Sequence, residues 1–182
     1  MAIVAAACSG TPEQPPNTAS PARNMQSLPQ HGAPKVESPV DVSKFKAAPC
    51  TTLTISQLHI LQLNPPGKSR PNTPSGSKCV WKGPHGISID VNFIPNSKGL
   101  SDLYSIRNRF SRFEPQPPIN GFPTILGNLD SSQEKQGGCS YQTGMNDHDA
   151  ISVLAVEGPD SRPCRDAKNV TKGVTKTIKY GG

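Results

Sequence analysis

Apolar and polar residues alternate most cleanly over residues 87–93. Ile87, Ile89, Val91 and Phe93 share one side, and Ser88, Asp90 and Asn92 the other. A period of two puts successive side chains on opposite faces of a strand. Gly86 opens this strand, and Pro95 with Asn96 ends it. Cys79-Val80-Trp81 predicts a short strand just before it. Residues 124–129, 138–143 and 151–157 predict three more, the last two joined by a loop over residues 144–149. Helical spacing appears three times. Thr54 and Gln57 form a capping box ahead of Ile55, Leu58 and Leu61, and Pro65-Pro66 stops that helix. Leu103, Ile106, Phe110 and Phe113 form a stripe that predicts a helix over 100–113. The last helix, 165–178, sets Val170, Val174 and Ile178 on one side and Lys168, Lys172 and Lys176 on the other. The order is helix, two strands, helix, three strands, helix. That predicts an α+β domain, an antiparallel sheet with helices packed on one face. The Pro/Gly-rich stretches 65–78 and 114–123 read as loops, with a turn at Asn120-Gly121.

The domain so read occupies residues 45–182. Ahead of it, residues 9–44 hold seven prolines among Ser, Asn, Gln and Thr. They offer little to bury, which predicts a disordered tether. Residues 1–8 read differently. Ile3-Val4 and three alanines lead to Cys8, the form of a shortened signal whose cysteine takes a diacylglycerol. This places the protein on the extracytoplasmic face of the cell membrane, lipid-anchored through Cys8.

Cysteine count supports that address. With Cys8 set aside, Cys50, Cys79, Cys139 and Cys164 remain, an even number that suits two disulfides in an oxidising compartment. Three connectivities are open. Likeness of context favours Cys79–Cys139, each at a strand start with an aromatic two residues on, and Cys50–Cys164, each after a proline and before a helix. The chain of 182 residues carries a formal net charge of +6 with 5% aromatics. No interleaving of basic and aromatic residues points to nucleic acid.

Candidate chemistry is sparse. Gly67-Lys68-Ser69 resembles the end of a phosphate loop, but Gln62 stands where that loop needs a glycine. Asp147-His148-Asp149 could move protons or hold a metal, yet three adjacent residues on a hairpin loop diverge. The histidines (His31, His59, His85, His148) form no helical pair. Trp81 reads as core, and the lysine line as a solvated helix face. No catalytic residue, metal ligand or cofactor is expected.

Several pieces together resemble one family. Pro49-Cys50 runs into a Leu/Thr-rich helix, Cys79-x-Trp81 starts a strand, Gly121-Phe122-Pro123 precedes another, Cys139 begins the next, and Pro163-Cys164 precedes the last helix. With the lipid-site cysteine in front, the chain resembles actinobacterial lipoproteins of domain of unknown function 3558. The resemblance implies a location and a scaffold but no reaction. The expected function is a non-catalytic envelope module that binds an unknown protein or small ligand. The alternatives are an envelope hydrolase with an unrecognised site, or an accessory or sensor subunit of a membrane complex.

Overall fold

The computed structural model describes residues 1, 27–129, 131–156 and 162–181. Seven strands form one antiparallel sheet: β1 (Asn64–Thr73), β2 (Gly76–Lys82), β3 (Ser88–Phe93), β4 (Arg112–Ile119), β5 (Phe122–Asn128), β6 (Gly138–Gly144) and β7 (Ala150–Val156). Their order across the sheet is β1-β2-β3-β7-β6-β5-β4. The expected α+β class holds, with most of the helical layer over one face of the sheet and one short helix packed on the other.

That face is the core. Cys79 and Trp81 on β2, Ile89, Val91 and Phe93 on β3, Ile151, Val153 and Ala155 on β7, and Cys139 and Tyr141 on β6 are all buried. Register sets Cys79 beside Val91, Val91 beside Val153 and Val153 beside Tyr141. Over them lie α1 (Ser43–Ala47), a 3₁₀ turn (Pro49–Thr52), α2 (Ile55–Ile60) and α5 (Pro163–Tyr180). In α5, Ala167, Val170, Val174 and Ile178 face the sheet. Burying each Val or Ile contributes about 1.5–3 kcal/mol. Pro163 starts the helix where no N–H is needed. Gly181, at φ 89°, ends it by donating its N–H to Thr177 O at 2.8 Å. The capping box of α2 forms as read: Thr54 Oγ1 accepts from Gln57 N at 3.2 Å, and Gln57 Oε1 from Thr54 N at 2.8 Å.

Four expectations are corrected. First, 65–78 and 114–123 are not loops but most of β1, β4 and their hairpins; the Asn120-Gly121 turn stands. Both are edge strands, and both hold prolines, which edges tolerate because one side of the strand has no ladder to supply. Second, the helix expected over 100–113 is α3 (Leu100–Ser105) and a 3₁₀ turn (Arg107–Arg109). Phe113 belongs to β4 and folds back so that its ring meets Tyr104 and Phe110 at 5.0 and 5.4 Å. The apolar stripe is satisfied by that fold-back instead of by one helix.

Third, the disulfides join Cys50 to Cys79 and Cys139 to Cys164, not Cys79 to Cys139 and Cys50 to Cys164. β2 and β6 are separated by β3 and β7. Three strand spacings put Cys79 and Cys139 about 14 Å apart, beyond the ~7 Å Cα separation a disulfide spans. Each sheet cysteine takes the helical cysteine above it. Fourth, the tether expected over 9–44 is, in its described part, a packed arm. Val36 and Val42 are buried in the main core, and Ala33 packs with Leu100 and Ala150. Apolar residues spaced widely among prolines suffice, because each of Val36 and Val42 finds a buried place in the main core. Cys8 and residues 9–26 lie outside the described residues.

α4 (Ser131–Lys135) closes the connection from β5 to β6.

Candidate functional site

Strand alternation that buries one face leaves the other facing outward. On β2, β3 and β7 this second face forms three rows in register. Lys78, Asn92 and Ser152 stand side by side; Val80, Asp90 and Leu154 follow; Lys82, Ser88 and Val156 complete it. Lys82 is exposed, and the other eight are half-buried. Gln142 on β6 continues the first row beyond Ser152.

The floor is rich in acceptors. Lys78 Nζ donates to Asp90 Oδ2 at 3.0 Å, and among the described residues Asp90 Oδ1 is buried without a partner. Asn92 Oδ1 and Gln142 Oε1 are likewise buried and unpartnered. Gln142 Nε2 is held by Gly127 O and Ser140 Oγ, both at 2.9 Å, which fixes its side chain. A buried acceptor without a donor costs about 1–3 kcal/mol, so this patch is polar at some expense to the fold.

A wall bounds the floor at the β5 end. The Phe110 ring packs against Gly127, where a Cβ would come within 3.1 Å of it. Phe113, opposite Gly127 in register, carries the wall to Tyr104. Burial raises the Tyr104 phenol above its ordinary pKa, and the charge of Arg107 opposes that rise. At the neighbouring end α3 covers the sheet through Leu100, against Ala150 and the Gly144 backbone. The remaining face can offer half-buried polar side chains, one Lys–Asp pair and an aromatic flank.

The sequence-level candidates land elsewhere. Gly67 lies on β1 over the Cys79 sulfur and Trp81, and Lys68 beside it is exposed. Trp81 is core, at 1% exposure. Asp149 forms an ion pair with Lys46 of α1 and accepts from Asn146 Nδ2 at 3.0 Å; Asn146 Nδ2 also donates to Val40 O at 2.9 Å. The Asp147-His148-Asp149 hairpin is thus the clamp that holds the N-terminal arm. His59, Gln62, Leu63, Asn64, Pro65 and Pro84 line an open depression of about 530 Å³ with a single titratable group. Among the described residues, no three His, Cys, Asp or Glu side chains come together as a metal site. No helix of the described residues is long and apolar enough to cross a membrane. The polar side of β3 was legible from alternation. Ser152, Gln142 and the aromatic wall were not, because their place depends on strand order.

No curated protein and no solved structure matches the chain. The profile of one family, described as "Protein of unknown function (DUF3558)", matches residues 3–177. That span takes in the arm, the whole sheet, both disulfides and nearly all of α5, so the chain belongs to the family of domain of unknown function 3558.

Proposed function

We propose that this protein is an envelope module, anchored by lipid at Cys8 outside the cytoplasmic membrane, that works by binding. The observation that carries the binding reading is the open half of the sheet. A scaffold with its main helical layer stapled over one face leaves the half-buried side chains of Asn92, Ser152, Asp90 and Leu154 on the other, around the Lys78–Asp90 pair. A ligand or protein segment lying on that face would meet the Lys78–Asp90 pair and the accessible parts of Asn92 and Ser152, and its apolar part would lie against Phe110, Phe113 and Tyr104. The two disulfides support the address, since such bonds persist in oxidising compartments.

The test is site-specific photocrosslinking in intact cells. With p-benzoylphenylalanine at Ser152 or Asn92, adducts should form that are missing when the probe replaces exposed Thr51. Equal adducts from all three positions, or none from Ser152 and Asn92, would refute the binding face. Purified protein is screened in parallel with ester, peptide and glycoside substrates. Turnover that His148→Ala or Asp149→Ala abolishes, with the fold retained, would replace the binding reading with the hydrolase.

A further inference from the structure

The outer face of the helical layer has a pronounced charge asymmetry. At 3.6 residues per turn, Arg165, Lys168, Lys172, Lys176 and Lys179 all fall within an arc of about 80° on α5. That arc points away from Ala167, Val170, Val174 and Ile178, which face the sheet. The one carboxylate of the helix, Asp166, is paired with Arg165. Lys179 donates to Asn120 O at 2.8 Å. Among the described residues, Lys168, Lys172 and Lys176 have no ion pair. They are one turn apart, about 6 Å per step.

The same layer also exposes apolar side chains. Ile55 and Ile60 on α2 are 58% and 81% exposed, and Tyr180 at the end of α5 is 72% exposed. α2 lies directly against α5, with Gln57 Nε2 donating to Gly173 O at 3.1 Å and Thr177 Oγ1 to Gln57 Oε1 at 2.9 Å. Uncompensated lysines on a layer that also exposes Ile and Tyr suit a surface that is anionic outside and apolar just beneath, which is the headgroup region of an acidic bilayer.

We infer that the α5–α2 face docks on an anionic bilayer surface. The inference rests on the lipid-anchor reading for its setting: residues 9–26 separate Cys8 from the described arm, and those eighteen residues span at most about 60–65 Å. The domain therefore stays near the bilayer, where weak surface contacts count. Docking also gives the domain an orientation. α5 covers the Cys139 and Val153 face, and the Asn92–Ser152 rows lie on the opposite one. With α5 down, the open face points away from the membrane, toward the rest of the envelope.

The experiment uses the full chain carrying Cys8→Ser, with disulfides intact, so that no lipid contributes. It is sedimented with vesicles of phosphatidylcholine alone or mixed in equal parts with phosphatidylglycerol, at about 0.1 M ionic strength. Binding should occur only with phosphatidylglycerol and should vanish near 1 M salt. Lys168→Gln/Lys172→Gln/Lys176→Gln should lower the partition coefficient about 100-fold, while Lys68→Gln/Lys82→Gln on the opposite face of the sheet should lower it far less. The inference is overturned by absent binding, by equal binding to both vesicle types, or by equal losses in the two lysine variants. Capture by soluble polyphosphate without vesicle binding would also overturn it, by making the lysines a polymer site. Acylation of the native chain at Cys8 is read separately, by palmitate labelling. A failure of docking and a failure of anchoring are therefore distinguishable.

Discussion

Gly67→Ala should destabilise the domain although Gly67 lies on an edge strand. A Cβ at this position would come within 2.5 Å of both Cys79 Sγ and Trp81 Nε1, and 2.7 Å of Trp81 Cε2. Neither neighbour can yield cheaply. Cys79 is fully buried and tied to Cys50, and Trp81 is wedged in the core at 1% exposure. Moving a buried indole would disturb the core around it, so the strand must lift instead. Overpacking of this kind costs about 1–3 kcal/mol. Because β1 pairs only with β2, its peeling limits the cost to the upper part of that range. For a chain of this size the loss corresponds to a fall in Tm of roughly 4–12 °C. The assay is equilibrium denaturation of Gly67→Ala beside Lys68→Ala, with amide exchange read along β2. Lys68 is exposed, so its replacement should stay within about 0.5 kcal/mol. Exchange should quicken at β2 amides bonded to β1 and not in β7. Unchanged stability of Gly67→Ala would refute the close approach of β1 to the disulfide and Trp81.

Removing a disulfide by Cys139→Ala/Cys164→Ala should cost about 3.5 kcal/mol for a sequence separation of 25, in the chain-entropy account; a loss under about 1 kcal/mol in denaturant titration would contradict the stapling role. Asn146→Ala removes the donor to Val40 O and Asp149 Oδ2. It should cost about 1–3 kcal/mol and speed proteolysis within residues 27–42, whereas unchanged cleavage would show that the hairpin does not clamp the arm. Burial raises the phenol pKa of both Tyr104 and Tyr141, against the nearby charges of Arg107 and Arg112. The fold thus favours the protonated phenols, and the unfolded chain ionises first. This contribution to stability is intact below about pH 10 and is lost as pH rises through the folded values. Phenolate absorbance should rise at higher pH in the folded protein than in guanidinium, and coincident titrations would contradict the burial.

How far the fold could be read depends on where each element sits. β3 and α5 carry their period in full because each buries one face against the core, whereas β6 is buried on both faces. β1 and β4 carry none. With Pro65, Pro66 and Pro71 in one, and Pro115, Pro117 and Pro118 in the other, their composition is that of loops. Strandedness there comes from a neighbour's ladder, which is not a local property. Cysteine pairing failed for a related reason. Matching contexts located Cys79 and Cys139 at equivalent places in the sheet, and equivalent places three strands apart cannot bond. The arm was missed because Val36 and Val42 are too sparse to form a pattern, yet each finds a buried site. For the open face, Asp90 and Asn92 were legible from β3 alone. Their neighbours Ser152 and Gln142 became so only through register.

The central proposal is a disulfide-stapled envelope domain held to the membrane at Cys8. It is tested most directly by a non-reducing peptide mass map of the protein extracted from the envelope of its native cells. The account predicts the Cys8 peptide at the mass of its diacylglycerol-modified form, with Cys50 linked to Cys79 and Cys139 linked to Cys164. An unmodified Cys8 peptide, or free thiols at the other four cysteines, would contradict it.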